Sequence, residues 1–239
     1  MATEYNSSKI VTDSLFFCTD AANTKSYSGS GNTWSDISGK GFTGTLTNMT
    51  DSNHTSGVSG YFTFNGTNES VSFSGSAKVS IPPLTISAWI KRDGNQDTWA
   101  SPITGRQTSP SSKCFNFNVY NNDELRYNWE DQSGSWNFDA SITIPNNEWV
   151  MCAVSATSSA ATLYMFKLDE TISSGTNTMT HNSGTFPYDA AGEFTIGQDN
   201  NGGSRYFDGD VSMGLVYSRA LSQAELKQNF DATKQRYGL

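Results

Sequence analysis

The acidic residues Asp208 and Asp210 have the spacing that hydrolytic chemistry on a β-sheet would use. Retaining glycosidases need two carboxyl groups about 5 to 5.5 Å apart, and side chains two residues apart on a strand point to the same face. Here the pair flanks Gly209 at a turn that leads into a strand, and no strand-like segment carries such a pair in its interior. The sequence therefore predicts a turn role for both residues and no glycoside hydrolase activity.

The histidines and cysteines do not form an arrangement suited to nucleophilic or zinc chemistry. A nucleophilic site needs Ser or Cys near a base and an orienting group, and a zinc site needs more His or Cys at ligand spacing than His54 and His181 supply. Cys18, Cys114 and Cys152 each lie in an apolar, strand-like segment, where cysteine usually behaves as a small hydrophobic residue. We expect three unbridged, buried thiols, in keeping with assembly in a reducing cytoplasm.

Two loops rich in acidic and amide residues are candidates for calcium. Asp93 and Asp97 lie in the first loop, and Asp199 begins the second. Calcium takes about six to eight oxygen ligands from carboxylates, amides and carbonyls, and these loops supply all three kinds. Neither follows the EF-hand pattern, and both compositions also form ordinary Asx turns. The sequence requires no cofactor and leaves calcium open.

Trp99 and Trp136 are the tryptophans that lie in loop-like sequence. Trp99 follows Asp97, and Trp136 comes shortly after Gln132. An exposed indole beside carboxylate or amide groups would suit a sugar, so these four residues are candidate glycan contacts. Alternatively, the indoles cover the ends of the domain or lie in a subunit interface, because Trp is highly buried on average and aromatic residues are enriched in interfaces.

Short strands must position these residues. The 239 residues include 21 Gly, 14 Phe and 10 Tyr, and only 16% are charged, a mixture that favours strands and turns. Alternating patterns predict nine clear strands. They span residues 15–19, 61–65, 84–91, 114–120, 124–129, 149–155, 162–167, 194–198 and 211–217. In the third of these, Ile86 and Ile90 share an aliphatic face, while Trp89 lies on a face able to pack a large ring.

One helix follows the last strand. Ser222 is placed to cap it, with Glu225 completing a capping box, and Leu221 and Leu226 are placed to form a hydrophobic staple. Many short strands and one late helix predict an all-β, two-sheet antiparallel sandwich. We expect a polar N-terminal arm over residues 1–13 and a single domain over residues 14–239.

Charge and hydropathy exclude several partners. The net charge is −8 and no Lys/Arg cluster is present, so we expect no nucleic acid and no attraction to an anionic membrane. The N-terminus has no apolar run typical of a signal peptide, and no segment has the length of a transmembrane helix.

The closing segment, residues 205–239, resembles the laminin-G-like jelly-roll family of the concanavalin A-like lectin/glucanase superfamily. It begins Arg-Tyr-Phe-Asp-Gly-Asp-Val and ends Arg-Tyr-Gly-Leu, and it looks most like the versions found in virion proteins of tailed bacteriophages. Segments 33–39, 64–68, 85–91 and 194–197 are similar to further landmarks of the family, in the same order. The chain departs from the family pattern at Glu69-Ser70 and at residues 166–169.

The resemblance implies a jelly-roll sandwich closed by a short C-terminal helix against one sheet edge. It also implies a rim loop of the kind that often holds calcium in the family. The function we predict from it is a non-enzymatic virion structural protein that decorates a phage head or tail. Its partners would be other virion proteins and copies of itself, and it would be assembled in the host cytoplasm. The alternatives are a carbohydrate-binding adhesin or receptor-binding module and, third, a glycan-degrading enzyme with a divergent site.

Overall fold

Antiparallel strands form the framework of the computed structural model, which describes residues 9–106, 114–131, 134–178, 180–181, 184–186, 193–200 and 205–238. The strands are β1 (Leu15–Asp20), β2 (Thr33–Ser35), β3 (Thr43–Thr47), β4 (His54–Thr55), β5 (Tyr61–Asn65), β6 (Ser70–Ser74), β7 (Val79–Ile81), β8 (Leu84–Arg92), β9 (Ala100–Arg106), β10 (Cys114–Val119), β11 (Glu124–Asp131), β12 (Gly134–Thr143), β13 (Val150–Ala156), β14 (Ala160–Lys167), β15 (Ile172–Thr178), β16 (Gly184–Phe186), β17 (Glu193–Ile196) and β18 (Asp208–Tyr217). Helix α1 spans Gln223–Thr233, and short 3₁₀ turns span Asp51–Asn53 and Lys234–Arg236.

Two large sheets contain most of these strands. Sheet A has the order β15-β14-β13-β8-β18-β5-β4, with β1 also pairing with β18, and sheet B has the order β12-β11-β10-β9-β17-β6-β3-β2. Strands β7 and β16 form a separate pair. The predicted two-sheet antiparallel sandwich is confirmed, and each of the nine predicted strands is present with ends shifted by a few residues.

An aromatic core lies between the sheets. The ring of Phe17 stacks on Phe194 at 4.5 Å and meets the edge of Phe73 at 4.9 Å, and all three side chains are fully buried. Ile86 and Ile90 of β8 point into the same core, as their alternation predicts. Removing one such ring would cost about 3 to 5 kcal/mol, so this cluster is a main source of stability.

Helix α1 lies on the outer face of sheet A, which corrects the expectation that it packs against a sheet edge. Trp89 of β8 stacks on Phe230 at 5.5 Å and on Tyr237 at 4.1 Å. Its indole Nε1 donates to Thr233 Oγ1 at 2.8 Å. The physical reason is that central strands of sheet A carry apolar residues on both faces, including Met151 and Trp89 outside, and this outer face must be covered.

The start of the helix follows the sequence prediction. Ser222 Oγ accepts from the Glu225 backbone, and Glu225 Oε2 accepts from the Ser222 N–H at 2.9 Å. Leu221 and Leu226 are buried in one cluster. Arg219 Nη2 donates to Glu225 at 2.6 Å, and this bond, with the bond from the Ser222 backbone, lowers the pKa of Glu225 to about 2.

Residues 9–13, expected to belong to the arm, lie against this helix instead. Val11 is buried, its N–H donates to Asn229 Oδ1 at 2.7 Å, and its carbonyl accepts from Tyr217 Oη at 2.9 Å. The Lys9 carbonyl accepts from Gln228 Nε2 at 2.7 Å. Apolar Val11 is the sequence signal for this docking. Residues 1–8 of the predicted arm lie outside the described residues.

Candidate functional site

Trp99 is the centre of an aromatic and basic cluster at the start of β9. The residue is half-buried and has a positive φ of 69°, which is rare for a bulky side chain and often marks a functional constraint. Its ring meets Tyr120 edge-on at 5.1 Å. Arg126 Cζ lies 3.9 Å from the Tyr120 centroid, and Arg205 Cζ lies 6.0 Å from the Trp99 centroid. We call these four side chains the Trp99 cluster.

Buried Asn118 holds the backbone of this cluster. Its Nδ2 donates to the Trp99 carbonyl at 3.2 Å, next to the positive-φ bond. Its Oδ1 has no hydrogen-bond partner in the described part of the chain, although the residue is fully buried. A buried acceptor of this kind normally has a partner.

Asp199 lies in a buried ion-pair network that connects with the cluster. Its Oδ1 accepts from Arg106 Nε at 2.6 Å, and its Oδ2 accepts from Arg106 Nη2 at 3.1 Å and from Arg205 Nη1 at 2.8 Å. Glu130 adds a contact to Arg106 at 3.1 Å. Gly197, two residues before Asp199, has a φ of 83°, and a side chain there would collide with the ring of Phe64.

The network bears on the calcium prediction for Asp199. Both carboxylate oxygens already accept from guanidinium groups, which supply the positive charge that calcium would bring. In the described ranges, no group of three or more His, Cys, Asp or Glu is arranged to hold a metal ion. Calcium stays a prediction, and a rise in melting temperature on adding CaCl₂ would support it because a ligand of the native state stabilises that state.

The other two calcium candidates, Asp93 and Asp97, lie exposed in the loop after β8. Gln96 fixes this loop, since its Nε2 donates to the Asp208 carbonyl at 2.8 Å and its Oε1 accepts from the Asp208 N–H at 3.0 Å. The role of Gln96 was not predicted from the sequence, because its partner Asp208 lies 112 residues away. Burial, then Asp93 and Asp210, raise the pKa of Asp208, so acidic groups gather at this end of the sandwich.

Asp208 and Asp210 both lie at the start of β18. Asp208 is the first residue of the strand, and Asp210 forms an ion pair with Lys91 at 2.8 Å. The other oxygen of Asp210 accepts from Thr63 Oγ1 at 2.7 Å. Both oxygens of Asp210 are therefore engaged in contacts within the sandwich.

The other three candidate glycan contacts, Trp136, Gln132 and Asp97, are not members of the Trp99 cluster. Trp136 lies in β12, where its backbone pairs with Trp129, and not in a loop as expected. Gln132 lies outside the described residues. Asp97 is two residues before Trp99 and is exposed. The Trp99 cluster instead contains Tyr120, Arg126 and Arg205, and the sequence analysis did not predict these three residues as part of a site.

A buried polar row crosses the outer face of sheet B. Asn116 lies opposite Asn128 and Thr104, and Thr104 lies opposite Thr195. All four are at least nine-tenths buried, and Asn116 Oδ1 and Thr195 Oγ1 have no hydrogen-bond partner among the described residues. The Phe-Asn-Phe-Asn alternation of β10 is the sequence signal, since the phenylalanines face the core.

The three cysteines are buried and unbridged, as the sequence predicts. Burial, with Asp20 and Asp36 adding to it, raises the pKa of Cys18 to about 12. Burial also raises the pKa of Cys114 and Cys152 far above the usual thiol range. Because the thiolate is the nucleophile, none of the three is suited to covalent chemistry.

The sandwich, its C-terminal helix and its polar rim are features of a lectin-like domain. The family model Laminin_G_3, described as concanavalin A-like lectin/glucanases superfamily, matches residues 65–227. The chain belongs to this family. No curated protein sequence matches it significantly. None of the helices in the described ranges has the length and apolar character needed to cross a membrane.

Solved structures of low sequence identity share the fold. Domain 4 of AbnA, an extracellular arabinanase from Geobacillus stearothermophilus in complex with arabinotriose, is 16% identical with a TM-score of 0.63, covering 91% of this chain and 98% of that one. The botulinum neurotoxin serotype C1 binding domain is 12% identical with a TM-score of 0.62, covering 93% and 52%. Trypanosoma rangeli sialidase is 12% identical with a TM-score of 0.61, covering 96% and 34%. The chain thus spans about half of the toxin domain and a third of the sialidase.

Proposed function

We propose that this chain is a non-enzymatic binding protein on the surface of a tailed-bacteriophage virion. The observation that carries the proposal is the closing segment, residues 205–239, which resembles the virion versions of the family. This segment supplies β18, which lies between β8 and β5 in sheet A, and helix α1, which covers that sheet. The resemblance therefore covers a central strand of sheet A and the helix that packs on it.

The ion pair and hydrogen bond of Asp210 support a role without catalysis. A retaining hydrolase needs one carboxyl group as acid and one as nucleophile. Of the pair with suitable spacing, Asp208 and Asp210, the second is engaged through both oxygens with Lys91 and Thr63. Incubation with β-glucans and bacterial polysaccharides should release no reducing ends. Turnover that is lost in Asp210→Asn would contradict this part of the proposal.

Quantitative mass spectrometry of purified virions tests the location. We expect the protein in a fixed ratio to the major capsid or tail protein through successive density gradients. Labelled antibody should decorate one part of the particle by electron microscopy. Its loss during purification, or its absence from particles made by host cells that express it, would overturn the virion proposal.

A glycan is the second candidate partner, and the Trp99 cluster favours it. A half-buried indole, a phenol and two guanidinium groups combine an apolar surface with hydrogen-bond donors. Arg126 is paired with Glu124 at 2.9 Å and Arg205 with Asp199 at 2.8 Å, so their charges are compensated and a neutral glycan suits the site better than an acidic one. Domain 4 of AbnA was solved with arabinotriose, which makes arabinotriose a reasonable first probe.

Calorimetry on the whole chain with arabinotriose and a panel of neutral oligosaccharides tests this candidate. Trp99→Ala should weaken any binding by more than about tenfold, because a central aromatic side chain usually carries much of the binding energy. Val58→Ala is the control, because Val58 is an exposed apolar residue outside the Trp99 cluster. Equal affinity of Trp99→Ala and the unmodified protein would exclude the Trp99 cluster as the glycan site.

A further inference from the structure

An open cavity of about 390 Å³ lies beside sheet A, apart from the Trp99 cluster on sheet B. One wall is the loop before β13 and another is the turn after β14, with a C-terminal tyrosine between them. Its lining residues, which we call the Trp149 pocket, are Asn147, Glu148, Trp149, Lys167, Leu168, Asp169 and Tyr237. The volume falls within the range of small-molecule sites, about 300 to 1,000 Å³.

The aromatic side of the pocket is rigidly held. Trp149 is half-buried, and its ring lies 4.8 Å from Tyr237 and 5.5 Å from Tyr61. Tyr237 in turn stacks on Trp89 at 4.1 Å, and its hydroxyl donates to Ser212 Oγ at 2.8 Å. Trp149 is thus the half-exposed member of a series of packed rings. Because this side chain is already held in place, a ligand that contacts it loses little free energy to ordering it. This is the advantage of a preorganised site.

The polar side of the pocket presents both acceptors and donors. The Glu148 carboxylate lies 3.6 Å from Lys167 Nζ, and the two side chains are 57% and 30% exposed. The exposed carboxylate of Asp169 accepts from the Thr171 N–H at 2.9 Å, and this bond is the main reason why the pKa of Asp169 is lowered. Asn147 adds an amide, which has both donors and acceptors.

We propose that the Trp149 pocket binds one ring of a neutral saccharide. Sugar hydroxyls both donate and accept, which matches two carboxylates, an ammonium group and an amide around an aromatic wall. An anionic ligand would meet two carboxylates and one ammonium group. A cationic ligand would compete with Lys91, whose Nζ already lies 5.4 Å from the Tyr61 centroid and 5.6 Å from the Trp149 centroid.

The test follows the six tryptophan indole N–H resonances of the whole ¹⁵N-labelled protein by NMR. Trp149→Phe and Trp99→Phe assign the two resonances that matter. The probes are the methyl glycosides of glucose, galactose and mannose, titrated to about 50 mM because a single ring is expected to bind with a Kd on the order of 1 to 10 mM. We expect at least one of them to shift the Trp149 resonance in a saturable way.

Variants that neutralise one carboxylate of the pocket distinguish specific binding from a general effect of the added sugar on the Trp149 resonance. Glu148→Gln and Asp169→Asn should each raise the Kd by about tenfold, the loss of one hydrogen bond to a charged group. Glu170→Gln is the matched control, because Glu170 is a nearby exposed carboxylate that pairs with Lys227 and Lys234 of the helix region and not with the pocket. Its Kd should not change.

Three results would overturn the proposal. They are no saturable Trp149 shift with any probe, a Kd unchanged in both pocket variants, and tighter binding of methyl glucuronide than of methyl glucoside. A shift confined to Trp99 is a case of the first result, and it would support the separate glycan candidate on sheet B.

Discussion

Replacing Asp199 with asparagine should lower the free energy of unfolding by about 3 kcal/mol. The substitution preserves volume but leaves Arg106, which is 1% exposed, facing a neutral amide. Removing one partner of a buried ion pair costs about 3 to 5 kcal/mol because the other charge stays desolvated. Glu130 still contacts Arg106, and Arg205 is 25% exposed, so the lower end of that range applies.

Equilibrium urea denaturation followed by tryptophan fluorescence measures this loss. The midpoint should fall with an unchanged slope, since the surface exposed on unfolding is the same. Asp13→Asn is the control. It also breaks an arginine pair, to Arg219 at 2.9 Å, but its side chain is 78% exposed, and an exposed pair contributes about 0 to 1 kcal/mol.

A double variant distinguishes charge burial from lost packing. Asp199→Leu with Arg106→Met removes both charges, and replacing a buried ion pair by apolar side chains is often neutral or stabilising. It should therefore be more stable than Asp199→Asn. If Asp199→Asn costs less than about 1 kcal/mol, or if the double variant is the less stable of the two, burial of the Arg106 charge does not explain the stability of this network.

Three further predictions concern the C-terminal helix and its contacts. Ser222→Ala should lower the free energy of unfolding by about 0.5 to 2 kcal/mol in urea, the usual cost of losing an N-cap; no change would mean that Ser222 is not the cap. Deleting residues 1–8 should leave the melting temperature nearly unchanged, whereas deleting residues 1–13 should lower it because the contacts of Val11 are lost; equal melting temperatures would contradict the docking. The pKa of Glu225 is lowered from 4.5 to about 2, so its stabilising effect is complete above pH 4.5 and is lost as the pH falls toward 2. Glu225→Gln should make the free energy of unfolding less dependent on pH in that window. An unchanged pH dependence would contradict the stabilising role of the Arg219–Glu225 pair.

Patterns within one strand or one turn predicted the local structure well. The alternation around Trp89 correctly predicted an aliphatic face and a face for large rings, and Ser222 with Glu225 correctly predicted the cap. The position of the helix was predicted wrongly, because alternation shows that Trp89 needs a cover but not which element covers it. The contacts of Trp89 with Phe230 and Thr233 show that α1 is the element that covers that face.

The candidate site was less predictable because its contacts are distant in sequence. The loop that begins at Asp199 has the composition of an Asx turn or a calcium loop, yet its main partner, Arg106, lies 93 residues away. Trp99 was selected for its loop position, which is correct, but Tyr120 and Arg126 join it only through the pairing of β9, β10 and β11. Local composition does not reveal such partners.

The position of β18 has a consequence for synthesis on the ribosome. This strand, Asp208–Tyr217, pairs with β8 and β5, and β1 also pairs with it. Sheet A therefore cannot close until β18 has left the exit tunnel, and β1, β5 and β8 each have an unpaired edge until then. Folding dominated by such distant pairings is slow and exposed to aggregation. Truncation before β18 should thus yield an insoluble product and not a smaller folded domain.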